Sequence, residues 1–485
     1  MSGDLINIIN VYSILSLFNL VLAATIIFFE RRNIAATWAW LMVLLFLPGI
    51  GFMLYLFLGQ KLKLRRLQKA KETALLDIHD ITHEQIRILE SGALAFHDRH
   101  MEPYRDIIHM NLRAAHSVFT QDNKISLFVD GKDKFDALFE SILAAKDHIH
   151  LLYYIFKPDE LGAKVVQALT KKAKEGIDVK VLYDEVGSSW LSRRFFRELI
   201  SAGGEVASFF SSRIPFFNVH INYRNHRKFA IIDGKIGYIG GFNIGNEYLG
   251  LNRKFGFWRD THLKMEGTAV HGLQRQFLTD WSLAAAKPLP HEARYFPEIT
   301  PDGYAGVQIV SSGPDSDLEH LKNGFLKMIY AAKETISIQS PYFIPDESFL
   351  DALKIAALSG VSVHIMLPSL TDHKLVKWAS QAYLGELLRA GVKCFLYEKG
   401  FLHAKTMVVD RRIGLVGTAN VDLRSFRLNF ETDAFIYDSG VAEQLYRQFV
   451  EDLYECKELT LPEFSSRPLS VRMKESLSRL LSPLL

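Results

Sequence analysis

Two stretches of this 485-residue chain carry the same reactive residue types at the same spacing. In the first, His226 is followed by Lys228, Asp233, Gly240 and Asn243; in the second, His403 is followed by Lys405, Asp410, Gly417 and Asn420. Both place Lys at +2, Asp at +7, Gly at +14 and Asn at +17 from the His, although most of the residues between them differ. An imidazole, titrating near pH 6.5, can attack when neutral and donate a proton when charged. A lysine beside it supplies positive charge, and an asparagine amide supplies donors. Two such sets meeting face to face would offer two imidazoles for nucleophilic or acid–base work, with two fixed positive charges and two amides beside them. No metal or other cofactor is required for that, and the sequence shows no acidic cage for one.

The local pattern says how these groups must be held. Phe229-Ala230-Ile231-Ile232 reads as a strand from its β-branched and aromatic content. On a strand, residues two apart share a face, so His226 points with Lys228 and His403 with Lys405. Asp233 and Asp410 fall an odd number of positions from their Lys, just before a turn, and are expected to face away and hold backbone. Asn243 and Asn420, each three residues after a Gly, could return an amide to the same place after the next strand. The neighbouring lysines should lower each His pKa, whereas a carboxylate on the far ring nitrogen would raise it and fix the tautomer. Asp260, after Trp258-Arg259, and Glu431, after Asn429-Phe430, are the candidate orienting residues, with an ordinary surface salt bridge as the alternative for each.

Around these stretches an α/β rhythm is written twice. The spacing predicts helices over 135–145 and 161–174 with strands over 149–156 and 179–183, then helices over 325–332 and 349–358 with strands over 336–342 and 361–367. Letters repeat too: Ala145-Lys146 answers Ala332-Lys333, Pro158-Asp159-Glu160 answers Pro345-Asp346-Glu347, and Gly176 answers Gly360. Strands alternating with helices predict a mainly parallel sheet, and two halves related by a pseudo-twofold axis would bring both His-Lys strands to one cleft. Pro-rich residues 287–306 read as the linker between repeats. Phe209, Phe210, Ile214, Phe216 and Phe217 form an aromatic cluster that is either core or a lipid-facing lip. Residues 467–485 read as an amphipathic helix docking on the body or on a membrane surface.

The N-terminus differs in kind. Residues 5–29 are almost wholly apolar and 34–58 carry no charge, each long enough to cross a hydrocarbon layer of about 30 Å as a helix. Residues 30–33 can make only a tight hairpin between them. The basic cluster Lys61, Lys63, Arg65, Arg66, Lys69 and Lys71 follows at once, which places the long C-terminal part in the cytoplasm and suits anionic lipid headgroups. Pro48, Gly49 and Gly51 could kink the second run or turn it back to the same face. Residues 61–120 read as a helical linker whose histidines form no recognised metal-ligand box. A net charge of +3 makes no case for nucleic acid, and the two cysteines, Cys394 and Cys456, exclude a disulfide framework.

The doubled motif resembles that of the phospholipase D superfamily: His-x-Lys, four residues, Asp, six residues, then Gly-Gly/Ser/Thr-x-Asn. Gly240-Gly241-Phe242-Asn243 and Gly417-Thr418-Ala419-Asn420 complete it, and neither copy departs from it. The apolar hairpin and basic stretch, with Tyr153-Tyr154-Ile155-Phe156, Trp258-Arg259-Asp260-Thr261 and Ser340-Pro341-Tyr342-Phe343, are similar to bacterial cardiolipin synthases over essentially the whole chain. The resemblance implies two pseudo-symmetric phospholipase D-like α/β repeats forming one bilobal catalytic unit behind a two-helix membrane hairpin. The domains expected are 1–60 hairpin, 61–120 linker, 121–290 first repeat and 300–485 second repeat. It implies a catalytic set of His226, Lys228, Asp233, His403, Lys405 and Asp410, with Asn243 and Asn420 on the phosphate. It further implies transfer of a phosphatidyl group between two phosphatidylglycerols through a phosphohistidine, at the cell membrane. His226 is taken as nucleophile and His403 as acid/base, an order the pseudo-symmetry leaves reversible. The rivals are a hydrolase using water as acceptor, a superfamily nuclease, which would want a basic groove and no hairpin, and a scaffold, which should have lost a His.

Overall fold

A computed structural model of the chain describes residues 17, 19–24, 34–47, 49–55, 65–76, 78–210, 222–285, 289–300, 302–316 and 318–482. These fall into two compact units, one drawn from Met1–Lys63 and Phe210–Tyr223, the other from Leu64–Phe209 and Arg224–Leu485.

In the larger unit the first repeat carries strands β1 (Phe119–Phe128), β2 (His148–Tyr153), β3 (Asp178–Asp184), β4 (Glu205–Phe209), β5 (Arg224–Asn225), β6 (Lys228–Ile232), β7 (Ile236–Gly240), β8 (Phe257–Arg259) and β9 (His262–Glu266). The second carries β10 (Ala305–Ser312), β11 (Thr335–Gln339), β12 (Phe343–Ile344), β13 (Ser362–Pro368), β14 (Lys393–Tyr397), β15 (Gly400–Leu402), β16 (Thr406–Val409), β17 (Ile413–Gly417), β18 (Val421–Asp422), β19 (Asn429–Tyr437) and β20 (Cys456–Leu459). One sheet runs β4-β3-β2-β6-β7-β9-β1 and continues β10-β19-β17-β16-β11-β13-β14-β20. Outward from the β1–β10 seam the two halves follow the same order, as a twofold axis there demands, except that the second adds β20 at its edge.

The sheet is not mainly parallel. Parallel pairing within it occurs in β2-β3-β4 and β11-β13-β14 and where the short β5 joins β19, and its other pairs are antiparallel. The physical reason is the motif itself, which folds as a hairpin, β6-β7 and again β16-β17, and a hairpin can only be antiparallel. The turns are tight: Asp233 and Gly234 have φ of 54° and 64°, and Asp410 and Arg411 have 52° and 56°. Three residues separate the paired positions in each, Lys235 N and Arg412 N donate to Ile232 O and Val409 O at 3.0 Å, and two consecutive left-handed residues inside such a turn match the strand twist.

The repeated letters turn out to be joints. Asp159 and Asp346 cap the helices Glu160–Lys174 and Glu347–Leu358, accepting from Gly162 N and Phe349 N at 3.1 Å each. Gly176 and Gly360 take left-handed φ just past those helices. Lys146 and Lys333 offer their backbone N–H to Asp233 and Asp410, 2.8 Å in both cases. Each half packs its own core, around Leu151, Val181 and Ile232 in one and Ile338, Ile365 and Met407 in the other, all nearly inaccessible to solvent. Phe209 is buried with its ring against Phe430 of the second repeat; Ile214, Phe216 and Phe217 lie outside the described residues. The linker ends where β10 begins at Ala305, and buried Tyr295 pins it to the first repeat. The helix Leu469–Leu480 packs on the helix Lys374–Arg389 and leaves Leu469, Met473, Leu477 and Leu480 exposed.

In the smaller unit the run 34–58 is broken. A helix covers Ile34–Phe46, a short one covers Ile50–Leu54, and Gly49, with φ 84°, separates them. Thirteen residues rise about 20 Å, short of a bilayer core of about 30 Å. Among the described residues no helix is long and apolar enough to cross a membrane. Asn19 Nδ2 donates to Leu44 O at 2.9 Å, tying the first apolar run to the second. Most of residues 5–29, the turn 30–33, Lys61 and Lys63 lie outside the described residues, as do the side chains of Arg65 and Arg66.

Candidate active site

Each motif histidine is seated by a strand of its own repeat that crosses to the other. β5 pairs in parallel with the start of β19, so that His226 N donates to Phe430 O at 2.9 Å; β15 pairs in parallel with β8, so that His403 N donates to Arg259 O at 2.7 Å. The next residue along each host strand is the acid. His226 Nδ1 lies 2.9 and 3.0 Å from the two oxygens of Glu431, and His403 Nδ1 lies 2.6 Å from Asp260 Oδ2. Both carboxylates are fully buried, and the rings are only 12% and 10% exposed. A carboxylate accepting at Nδ1 places the proton there and leaves Nε2 turned away from the acid.

The two acids are accommodated differently. Glu431 also accepts from Thr418 Oγ1 at 2.6 Å, Ser425 Oγ at 2.9 Å and Asn429 Nδ2 at 3.2 Å. Asp260, one methylene shorter, occupies the space where residue 241 would carry a side chain: a Cβ on Gly241 would stand 1.9 Å from Asp260 Oδ1. The variable motif position, Gly241 in one copy and Thr418 in the other, is therefore matched to the acid it faces.

Lys228 and Lys405 are buried on the same face as their histidines, and each Nζ donates to the carbonyl of its own His, at 2.5 Å for His403 O. Burial lowers the Lys228 pKa to about 7 and that of Lys405 to about 8. It also pushes His226 well below 6.5, with Lys228, Lys405 and His403 adding to the effect, and His403 to about 4, with Lys405 next in weight. Glu431 is raised to about 7, again chiefly by burial. Groups of both repeats thus sense one another, and a low-dielectric site without substrate resists holding charge. The rings of Tyr154 and Trp258 flank His226 and His403 at 4.6 and 5.2 Å between centroids.

Asp233 and Asp410, counted with the catalytic set on resemblance, sit on backbone instead. Asp233 accepts from the N–H of Lys146, Asp147 and His148, and Asp410 from those of Lys333, Glu334 and Thr335, all within 3.0 Å. They clamp the hairpin turn to the head of β2 or β11. The parity of their spacing points the same way. Asn243 spans Ile155 N and the Tyr248 hydroxyl at 3.0 Å each, and Asn420 donates to Asp422. Neither amide hydrogen-bonds a motif His or Lys.

Two buried ion pairs beside the acids were not read from sequence. Arg227 reaches Asp280 at 2.7 Å and also donates to Thr432 Oγ1 and the Glu431 and Ser312 carbonyls. Arg259 reaches Asp452 at 2.7 Å and Thr261 Oγ1 at 3.1 Å. Each arginine adjoins a site residue in sequence, which was the available signal; its partner, on a distant helix, gave none.

A family model described as cardiolipin synthase, phospholipase D-like domain, matches residues 138–281 and 325–453, and a phospholipase D-nuclease N-terminal model matches residues 17–60. The major cardiolipin synthase ClsA of Bacillus subtilis (strain 168) is 52% identical over 476 residues, covering 97% of this chain and 99% of that protein. A cardiolipin synthase of Listeria monocytogenes serotype 4b (strain CLIP80459) is 50% identical over 473 residues, covering 97% and 98%. Among solved structures, a phosphatidylserine synthase of Haemophilus influenzae Rd KW20 shares the fold, with a TM-score of 0.62 at 15% identity over 78% of this chain and 100% of that one. With a doubled motif whose histidines are each completed by the opposite repeat, and with relatives matching nearly end to end, the chain belongs to the cardiolipin synthase family of the phospholipase D superfamily.

Proposed function

We propose that this chain is a cardiolipin synthase that joins two phosphatidylglycerols into cardiolipin and releases glycerol. The observation that carries the mechanism is the pair of crossed His–carboxylate contacts, Glu431 on His226 and Asp260 on His403, which leaves two Nε2 atoms to act. His226 Nε2 attacks phosphorus, and the bond from phosphorus to the headgroup oxygen breaks. His403 gives its Nε2 proton to that oxygen, so glycerol departs neutral. His403 then takes the proton from a headgroup hydroxyl of the second phosphatidylglycerol as that oxygen attacks the phosphohistidine; the P–N bond breaks and cardiolipin leaves. Lys228 and Lys405 neutralise the non-bridging oxygens, with Asn243 and Asn420 as the neighbouring donors. One phosphodiester replaces another, so no energy source enters. Water must be kept out while the intermediate stands.

The apolar N-terminus anchors the enzyme in the cell membrane as a hairpin, with the repeats, 121–290 and 300–485, on the cytoplasmic side. The apolar composition of 5–29 and 34–58, the Asn19–Leu44 contact and the basic stretch that follows support this, and the break at Gly49 favours a second arm that turns within the bilayer. The exposed Leu469, Met473, Leu477 and Leu480 suit a second contact with lipid. Products from pure phosphatidylglycerol test the whole reading. Cardiolipin and glycerol in equal amounts are expected; phosphatidic acid as the main product would make the enzyme a hydrolase. Label retained on His403 rather than His226 would reverse the assigned roles.

A further inference from the structure

A cavity of about 560 Å³ in the larger unit contains none of the motif residues. The helices Arg65–Leu76 and Val270–Ala284 and strand β10 contribute to its walls. Its lining is of two chemical kinds. Leu75, Ile78, Ile81, Val118 and Ile309 offer hydrocarbon, whereas Lys71, His116, His271, Arg275 and His320 offer cations or imidazoles around a single acid, Asp315. Lys71 pairs with Asp315, and His320 feels Lys71, Asp315 and His116; His271 and Arg275 stand one turn apart on their helix.

Three buried polar atoms of this lining, His271 Nε2, His320 Nδ1 and Asp315 Oδ1, have no hydrogen-bond partner among the described residues. Buried polar atoms are nearly always partnered, so three around one cavity call for a ligand that both accepts and donates. Phosphodiester oxygens accept from imidazole and guanidinium, a headgroup hydroxyl donates to Asp315, and an acyl chain takes the hydrocarbon. The volume lies within the range of ordinary ligand sites and holds a headgroup with part of a chain.

We propose that this cavity is a second phospholipid site, separate from the catalytic cleft, for an anionic lipid with a hydroxylated headgroup. The choice of phosphatidylglycerol as its probe rests on the synthase reading; the chemistry of the cavity does not. Its wall adjoins the catalytic framework. Gln276 donates to Asp280, the partner of Arg227, at 3.0 Å, and Ser311 lies 2.8 Å from Thr432, the residue after Glu431. An occupant would therefore lean on the network that seats His226.

The test is photolabelling of the detergent-solubilised full chain with a diazirine phosphatidylglycerol, followed by peptide mapping. Label is expected in two separate places, the cleft and peptides spanning 71–81 and 270–280. Arg275→Ala combined with His320→Ala should lower the cavity label at least fivefold relative to the cleft label, and Ala115→Trp, which fills the cavity and keeps its charges, should do the same. Unlabelled phosphatidylglycerol should compete and phosphatidylcholine should not. No cavity label, or label indifferent to both variants, overturns the proposal; so does equal competition by phosphatidylcholine or by inorganic phosphate. Cavity label with none in the cleft would tell against the synthase reading and leave this site standing.

Discussion

His226 and Glu431 stand 205 residues apart in the chain, and the Nδ1 of the first lies 2.9 Å from Oε1 of the second. His403 and Asp260 repeat the relationship in the other direction across 143 residues, at 2.6 Å. In each case the acid belongs to the opposite repeat, and a backbone bond from the histidine to the residue before that acid holds the ring at its distance. Orientation is thus set by main-chain pairing, which a point change in a side chain leaves intact.

Removing charge from either acid without changing its shape should therefore cost activity and not fold. Glu431→Gln and Asp260→Asn are each expected to lower cardiolipin formation by about 10- to 100-fold, the usual scale for a partner that fixes a tautomer. Initial rates in mixed micelles, beside an unchanged circular dichroism spectrum, check this.

Gly241→Ala puts a methyl where the Asp260 carboxylate now sits, 1.9 Å from Oδ1, so the acid must move off His403. A fall in kcat of at least about tenfold is expected, because the lost contact acts on the reacting ring. Thr418→Ala, at the matching position, removes one of the hydrogen bonds to Glu431 and opens space instead of closing it. Its effect should be the smaller of the two.

Arg227→Met strands Asp280 without its cation in a fully buried position. Loss of one partner from such a pair typically costs about 3–5 kcal/mol, whereas replacing both is close to neutral. Urea denaturation should show Arg227→Met much destabilised, and Arg227→Met combined with Asp280→Leu recovering most of the loss.

The pH profile of kcat/KM reports groups of the free enzyme. Lys228, lowered to about 7, and Lys405, lowered to about 8, lose their charge as pH rises through those values, and phosphate stabilisation goes with it. Glu431, raised to about 7, becomes protonated as pH falls and ceases to be an ionised partner for His226. Successive breaks are expected: near pH 4 from His403, which must carry a proton to act as acid, near 7 from Glu431 and Lys228, and near 8 from Lys405. Lys228→Arg combined with Lys405→Arg, whatever its rate, should lack the alkaline limb, because guanidinium stays charged; an unchanged limb would remove the lysines as its source.

Arg411 takes a left-handed φ of 56° in a turn position whose counterpart in the first repeat is Gly234. A side chain there is strained by roughly 1 kcal/mol, and its weak ion pair with Glu334, at 3.7 Å, returns little. Arg411→Gly should raise unfolding stability by about 0.5–1 kcal/mol in denaturant titrations.

Much of the architecture could be read because it is written locally. The doubled motif, the helix caps at Asp159 and Asp346 and the left-handed glycines at 176 and 360 are short-range patterns, and the parity of Asp233 and Asp410 already turned them toward backbone. The seam strands escaped notice. Phe119–Phe128 alternates poorly and shifts register between Thr120 and Asn123, so period-2 reading had nothing to grip. A helix–strand rhythm also cannot reveal hairpins, which is why it predicts a mainly parallel sheet. Arg227 with Asp280, and Arg259 with Asp452, join elements that meet only after folding. Nothing near Asp260 or Glu431 in sequence says which histidine each will face; the crossing of β8 with β15 and β19 with β5 decides it.

That crossing also bears on how such a molecule can change. Half of the chain is not half of a catalyst, since either half alone keeps a ring without its acid and an acid without its ring. A chain carrying one copy could complete both contacts only by meeting a second copy of itself. Once both copies share a single gene, the loan made in one direction can drift apart from the loan made in the other, which gives selection a way to assign different duties to twin imidazoles.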